Sequence, residues 1–186
     1  MKLTLREQLI SGLFAALIAV ASQIVIPLGL VSFSLQTLMI GLTASLLGRR
    51  VGTWSIIIYL LLGLIGLPVF AGGASGFGVL FGPTGGYLIG FIFASLVIGT
   101  LQNQTSTNYL STFSINLLGF MVALVFGTAW LTFAANLTIP QGIASGFVPF
   151  ILPEAAKATI ITPPIVIMQK RLVKLEAIKS VVCSDK

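Results

Sequence analysis

From Val51 to Pro153 the chain carries no Asp, Glu, Lys or Arg. A water-facing surface cannot be built from such a stretch: soluble domains carry about 25% charged residues, and this chain carries 8%. With 56% hydrophobic residues and a mean hydropathy of +1.09, most side chains must face lipid or one another. The sequence therefore predicts an integral membrane protein. Its 186 residues suit one compact bundle, a single transmembrane domain over 1–186 that ends in a basic tail from about 169.

A spanning helix needs about 20 largely apolar residues, and six segments qualify: 9–27, 37–47, 53–67, a fourth from after "GPTGG" to 101, 114–135 and 149–168. The second is short and must extend backward or tilt. The first runs into more apolar sequence with no cleavage site, so it is read as a retained helix and not as a signal peptide. The fold class expected is all-α, a six-helix transmembrane bundle.

Basic residues set its direction. Lys2 and Arg6 precede the first segment, Arg49 and Arg50 separate the second and third, and Lys170, Arg171, Lys174, Lys179 and Lys186 follow the sixth. In a six-helix chain these places share one side, which the positive-inside rule makes cytoplasmic, with both termini inside. The connection "QNQTSTN" is uncharged and says nothing. The opposite loops hold no Lys or Arg, and one of them, "AGGASGFGVLFGPTGG" between the third and fourth helices, is rich in glycine yet hydrophobic. It either packs as a re-entrant turn or lines a ligand site, since irregular backbone at membrane depth must be buried in protein or face a cavity.

Several function classes drop out. One cysteine, Cys183, cannot form an internal disulfide. Histidine is absent and carboxylates number only four, so neither a metal centre nor a histidine-based catalytic site is expected, and no cofactor is called for. A pI near 9.9 raises nucleic acid as a partner, but the basic residues flank apolar segments, where they report orientation. No P-loop occurs, and the first five segments hold no ionisable group at depth to serve as a proton or sodium relay. Such a chain can capture a small molecule but must draw its energy from another protein.

Against this background "LPEAAK" stands out, with Glu154 and Lys157 in the sixth segment. Pro153 suits a first helical position, which places Glu154 in the first turn, where the helix dipole favours an anion. Lys157 lies on the same face, one turn on. Ionisable residues inside a membrane usually face the bundle interior and are functional; the plain alternative is an ion pair that only fixes helix packing. The pair offers carboxylate acceptors and an ammonium donor, fitting a ligand with N–H groups and a carbonyl or carboxylate. Gln36, Ser75 and Tyr87 are candidate polar neighbours, whereas Asn116 reads better as an interhelical hydrogen bond.

The motifs "VSFSLQTL", "YLLLGLIGLPVFAGG" and "LFGPTGGYLIGF" and the Pro-Glu-x-x-Lys of the last segment resemble, in order over 13–168, the BioY family of biotin-specific substrate-binding (S) components of energy-coupling-factor (ECF) transporters. The resemblance implies biotin capture from outside a prokaryotic cell membrane. It also implies a transmembrane coupling protein and two ATPase subunits as partners, and no enzymatic activity. Gly73, in the glycine-rich motif, joins Glu154, Lys157, Tyr87, Gln36 and Ser75 as an expected ligand residue. Four positions depart from the family's usual pattern. Glu154 replaces the common Asp, Leu88 stands where some members carry a cation, and Ala74 and Ser75 stand where some have Asn. In "SGLFAALIAVAS", Ala15 and Ala19 match an Ala-x-x-x-Ala face that docks on the coupling protein in such components; an internal face is the alternative. Other readings are an S component for a different vitamin and, less in keeping, a small membrane enzyme with Glu154 as general base.

Overall fold

The computed structural model describes residues 3–28 and 31–184, with side chains over 3–26 and 33–171. Lys2 and Lys186 lie outside the described residues, as do the side chains of Lys174, Lys179 and Cys183.

Helix α1 (Leu5–Ser22) opens on a capping box: Glu7 N–H donates to Thr4 Oγ1 at 3.3 Å while Thr4 N–H donates to Glu7 Oε2 at 2.7 Å. The box satisfies two donors that the first turn would otherwise orphan. A short antiparallel hairpin follows, β1 (Val25–Leu28) and β2 (Val31–Ser34), with Ile26 opposite Phe33. The hairpin takes up the end of the expected first segment, 25–27, and the connection after it, within an otherwise helical fold.

Next comes α2 (Gln36–Leu64), helical throughout except at Gly48, where φ is 70° and ψ −176°. That conformation is open to glycine and costly for other residues, and it reverses the chain. A Cβ on Gly52 would lie 3.0 Å from the Ala44 Cα, whereas residues eight apart in an unbroken helix are separated by about 12 Å. The two arms, 36–47 and 49–64, therefore pack side by side. A 3₁₀ turn (Ala71–Gly73) and α3 (Phe77–Phe81) fold within the glycine-rich loop. Then come α4 (Gly85–Gln104), α5 (Tyr109–Ala134), the short α6 (Ile139–Gly146) and α7 (Val148–Ser184).

Among the described residues, five helical stretches are long and apolar enough to cross a membrane: Leu5–Ser22, Gln36–Leu64, Gly85–Gln104, Tyr109–Ala134 and Ile139–Arg171. The second contains the Gly48 reversal. Two boundaries differ from expectation in ways that matter. Helix α7 begins at Val148, so Pro153 and Glu154 lie beyond its first turn, and the dipole argument for Glu154 loses most of its force because that effect fades within one turn. Helix α7 also continues to Ser184, so the basic tail extends the last helix.

Small residues set the helix spacing, as packing between apolar helices in lipid requires. An added Cβ would lie 2.5 Å from the Arg49 nitrogen at Gly99, 2.3 Å from Ile98 at Gly119 and 2.1 Å from the Tyr87 ring at Gly127. Polar contacts gather the basic residues at one end. Glu7 and Arg50 pair at 4.0 Å. Gln102 Nε2 donates to Gln169 Oε1 at 3.0 Å, and Gln169, whose Nε2 donates to the Ser45 carbonyl at 2.7 Å, directly precedes Lys170 and Arg171. Asn116, fully buried, donates to Ser45 Oγ and the Thr112 carbonyl at 3.0 and 2.9 Å, the interhelical role expected for it.

Ala15 and Ala19, expected to dock on a coupling protein, lie on the packed side of α1. Ser11, Ala15, Ile18 and Ser22 form the buried face of α1. Ala15 has 0% exposure and Ala19 packs half-buried against the same core. Ser11 Oγ donates to the Val51 carbonyl at 3.4 Å. Ala15 is enclosed by the chain's own helices, and the small residues that face outward are Ala16, exposed, and Gly12, whose Cβ would meet nothing within 4 Å.

Candidate functional site

The buried face of α7 carries Phe150, Glu154, Lys157, Ala158, Ile161 and Ile165, a helical spacing that turns both ionisable groups into the bundle. Glu154 and Lys157 are each 3% exposed. Lys157 Nζ donates to Glu154 Oε1 at 2.8 Å and to Thr37 Oγ1 at 2.6 Å, and Thr37 Oγ1 donates to the same carboxylate oxygen at 3.0 Å. The ammonium also stands 4.1 Å from the centroid of the Phe33 ring, at the end of β2. One acid, one base, one hydroxyl and one aromatic face thus close on each other. The second carboxylate oxygen, Glu154 Oε2, is buried without any partner. An unmet acceptor on a buried carboxylate is costly, and the cavity beside it is where a donor would come from.

That cavity measures about 140 Å³. The arm 36–47 supplies Gln36 and Thr37, β2 supplies Phe33 and Ser34, and the glycine-rich loop supplies Phe70, Ala71, Ala74 and Val79. Helix α4 supplies Tyr87, Leu88 and Phe91, and α5 and α7 supply Phe120, Ala123, Leu124 and Phe150 beside the pair. Aromatic and aliphatic walls with a few convergent polar groups are the usual make-up of a small-molecule site. Phe70 is wedged into place: a Cβ on Gly63 would lie 2.1 Å from its Cζ, and its ring meets Tyr59 edge-on at 5.7 Å.

Four of the expected ligand residues, Glu154, Lys157, Gln36 and Tyr87, line this one cavity. Like the ion pair, the other two also hold protein partners. Gln36 Oε1 accepts from Ser34 Oγ at 2.8 Å and its amide donates to the Tyr59 hydroxyl, while the Tyr87 hydroxyl donates to the Gly146 carbonyl at 2.7 Å. Gly73 and Ser75 are not in the lining; their neighbours Ala71 and Ala74 are. Gly73 instead takes a positive φ of 80° in the turn. Leu88 lines the cavity as an apolar wall. Sequence reasoning missed Thr37 and Phe33, both inside the quoted "VSFSLQTL". Among the described residues no group of three or more His, Cys, Asp or Glu could hold a metal ion.

A model of the BioY family matches residues 1–174. The chain is 44% identical over 151 residues to the biotin transporter BioY2 of Lactococcus lactis subsp. cremoris, covering 81% of this chain and 83% of that protein. It is 41% identical over 174 residues to the biotin transporter BioY of Thermotoga maritima, covering 92% and 98% respectively. Among solved structures it is similar to the crystal structure, at 2.1 Å, of the S-component for biotin from an ECF-type ABC transporter. The TM-score there is 0.82 at 31% identity, over 91% of this chain and 95% of that one. Matched along nearly its whole length in sequence and in fold, the chain belongs to the BioY family.

Proposed function

We propose that this protein is the biotin-capturing S component of an ECF-type importer and that the cavity beside Glu154 and Lys157 is its biotin site. The observation that carries the reading is the unpartnered, buried Glu154 Oε2 in the cavity lining. A ureido ring presents N–H donors to that oxygen and a strong carbonyl acceptor to Lys157. The apolar part of the fused rings rests against Phe70, Leu88 and Phe91. A dry cavity of about 150 Å³ takes a single benzene ring, so the ring system occupies the enclosed part and the valerate tail leaves toward the glycine-rich loop.

The arms of α2 count as two crossings beside α1, α4, α5 and α7, six in all. Arg6, Arg49, Arg50, Lys170 and Arg171 gather at one end of the bundle and mark it as cytoplasmic, with both termini inside. The cavity then opens outward under the glycine-rich loop, in the cell membrane of a prokaryote. With no nucleotide-binding loop of its own, the chain hands biotin on through a transmembrane coupling protein driven by two ATPase subunits. The test is equilibrium binding of biotin to the purified protein, with recovery of the ligand unchanged. Saturable binding of unaltered biotin is expected; absence of binding by folded protein, or chemical conversion of biotin, would overturn the reading.

A further inference from the structure

A second recess lies behind the ligand cavity. Its volume is about 210 Å³, and every residue that lines it is aliphatic or aromatic, among them Ile57 and Leu61 from the second arm of α2, Leu80 from α3, and Ile89 and Ile92 from α4. Phe70 and Leu88 line this recess and the ligand cavity both, so they form the partition between the two. Near the end that carries Arg49, the second arm and α4 are pinched together at Gly99. Toward the ligand end they part, with Phe70 and Leu80 in the gap. Leu61 is 53% exposed and lies in a stretch apolar enough to cross a membrane, so the recess opens to the outside of the bundle.

Three occupants can be weighed. Water needs two to four polar partners to stay in a cavity, and the lining offers none. A partner helix is about 10 Å across and cannot enter a space of 210 Å³. Left empty, the lining forfeits its dispersion contacts on one side. What the surroundings supply at this depth is a narrow, flexible hydrocarbon chain.

We propose that this recess binds one lipid acyl chain and that the chain backs the Phe70–Leu88 wall of the ligand cavity. Phe70 is held on one side by the Gly63 notch and the Tyr59 edge contact, and the acyl chain completes its support from behind. Coupling between the two sites is reciprocal: a wall firmed by lipid holds the ligand more tightly, and bound ligand retains the lipid. The lipid site stands on the recess alone; the coupling rests on the proposed biotin site.

The experiment uses full-length protein, stripped of lipid in detergent and then given palmitoyl-oleoyl phosphatidylglycerol at limiting ratio. Native mass spectrometry counts the lipid retained, and biotin affinity is measured with and without it. Leu61→Phe and Ile92→Phe, made singly, fill the recess. Leu118→Phe, at an exposed α5 position, is the control. Wild type and the control should retain one lipid that the filled variants lose. Added lipid should tighten biotin binding about fivefold in the wild type and control, with no effect in the filled variants. Equal retention in filled variants and control overturns the site. Retention that follows the recess, with biotin affinity indifferent to lipid, overturns the coupling. Loss of biotin binding in every sample counts against the biotin reading, and therefore the coupling, while the lipid count still decides the site.

Discussion

Replacing Glu154 by Gln separates what the pair contributes to folding from what it contributes to ligand capture. In the native protein one carboxylate oxygen holds Lys157 Nζ at 2.8 Å and Thr37 Oγ1 at 3.0 Å, and the other is unpartnered at the cavity. A glutamine can keep its carbonyl on Lys157 and Thr37 only by turning its NH₂ toward the ligand, where a donor would meet the ureido N–H groups. A hydrogen bond to a charged acceptor is worth about 1.5–3 kcal/mol, so biotin affinity should fall by about 10- to 150-fold. Folding suffers too: removing one partner of a buried ion pair costs about 3–5 kcal/mol. Lys157→Met does the same from the other side. The double variant Glu154→Gln/Lys157→Met has no buried charge left, and neutral replacement of a buried pair is often close to neutral in stability. Its unfolding transition should return most of the way to that of the wild type while biotin binding stays weak. Calorimetric titration with biotin and thermal unfolding, run on the same detergent preparation, read the two effects apart. Native affinity in either single variant, or affinity that recovers along with stability in the double variant, would refute the argument.

Phe33→Leu removes the ring that stands 4.1 Å from Lys157 Nζ; with cation–π contacts worth about 0.5–2 kcal/mol, biotin should bind a few-fold to about 30-fold more weakly in the same titration. Gly63→Ala puts a methyl in the place of the Phe70 ring, so overpacking of about 1–3 kcal/mol should appear as a lower unfolding temperature together with weaker biotin binding. Asn116→Leu strands the Ser45 hydroxyl at a residue that does not itself line the cavity, and should cost about 1–3 kcal/mol of stability with ligand affinity unchanged. Ala15→Trp should lower thermal stability sharply because the site is 0% exposed, whereas Ala16→Trp, on the outward face, should melt like the wild type.

Glu154 and Lys157 were legible because burying a charge in lipid is expensive enough to leave a mark on composition itself. Thr37 and Phe33 left no such mark: a hydroxyl and a phenyl ring are ordinary in any apolar helix, and only the meeting of α2, α7 and the hairpin gives them roles. The glycine-rich loop was legible as a lining, but not by residue. Ala71 and Ala74 took the places expected of Gly73 and Ser75 because a loop has no period from which to predict which side chain points inward. The hairpin could have been found, since "VSFS" alternates apolar and polar residues at the period of a strand. So could α6, where Gln141 Oε1 accepts from Thr138 N–H at 3.0 Å in a Thr-x-x-Gln capping pattern with Pro140 at the helix start. Ala15 and Ala19 show a harder limit. Spacing by four identifies a close-packing face, yet it cannot say which neighbour approaches, and here the neighbour is the second arm of α2, in the same chain.

The reversal at Gly48 bears on how the protein is made. The arm that precedes it, Gln36 to Leu47, reaches only about 17 Å at 1.5 Å per residue, little more than half of a hydrocarbon core about 30 Å thick. As it leaves the ribosome, this arm is too short to partition across the bilayer by itself. Because the turn needs no loop, its missing support is the very next stretch of chain to be synthesised, and the glycine at 52 keeps the approach free of a side chain. The two arms thus enter the membrane as one unit, so residue 48 sets a checkpoint in biogenesis as well as a bend in the fold. A side chain there would strain the turn and leave the short arm without the partner it needs.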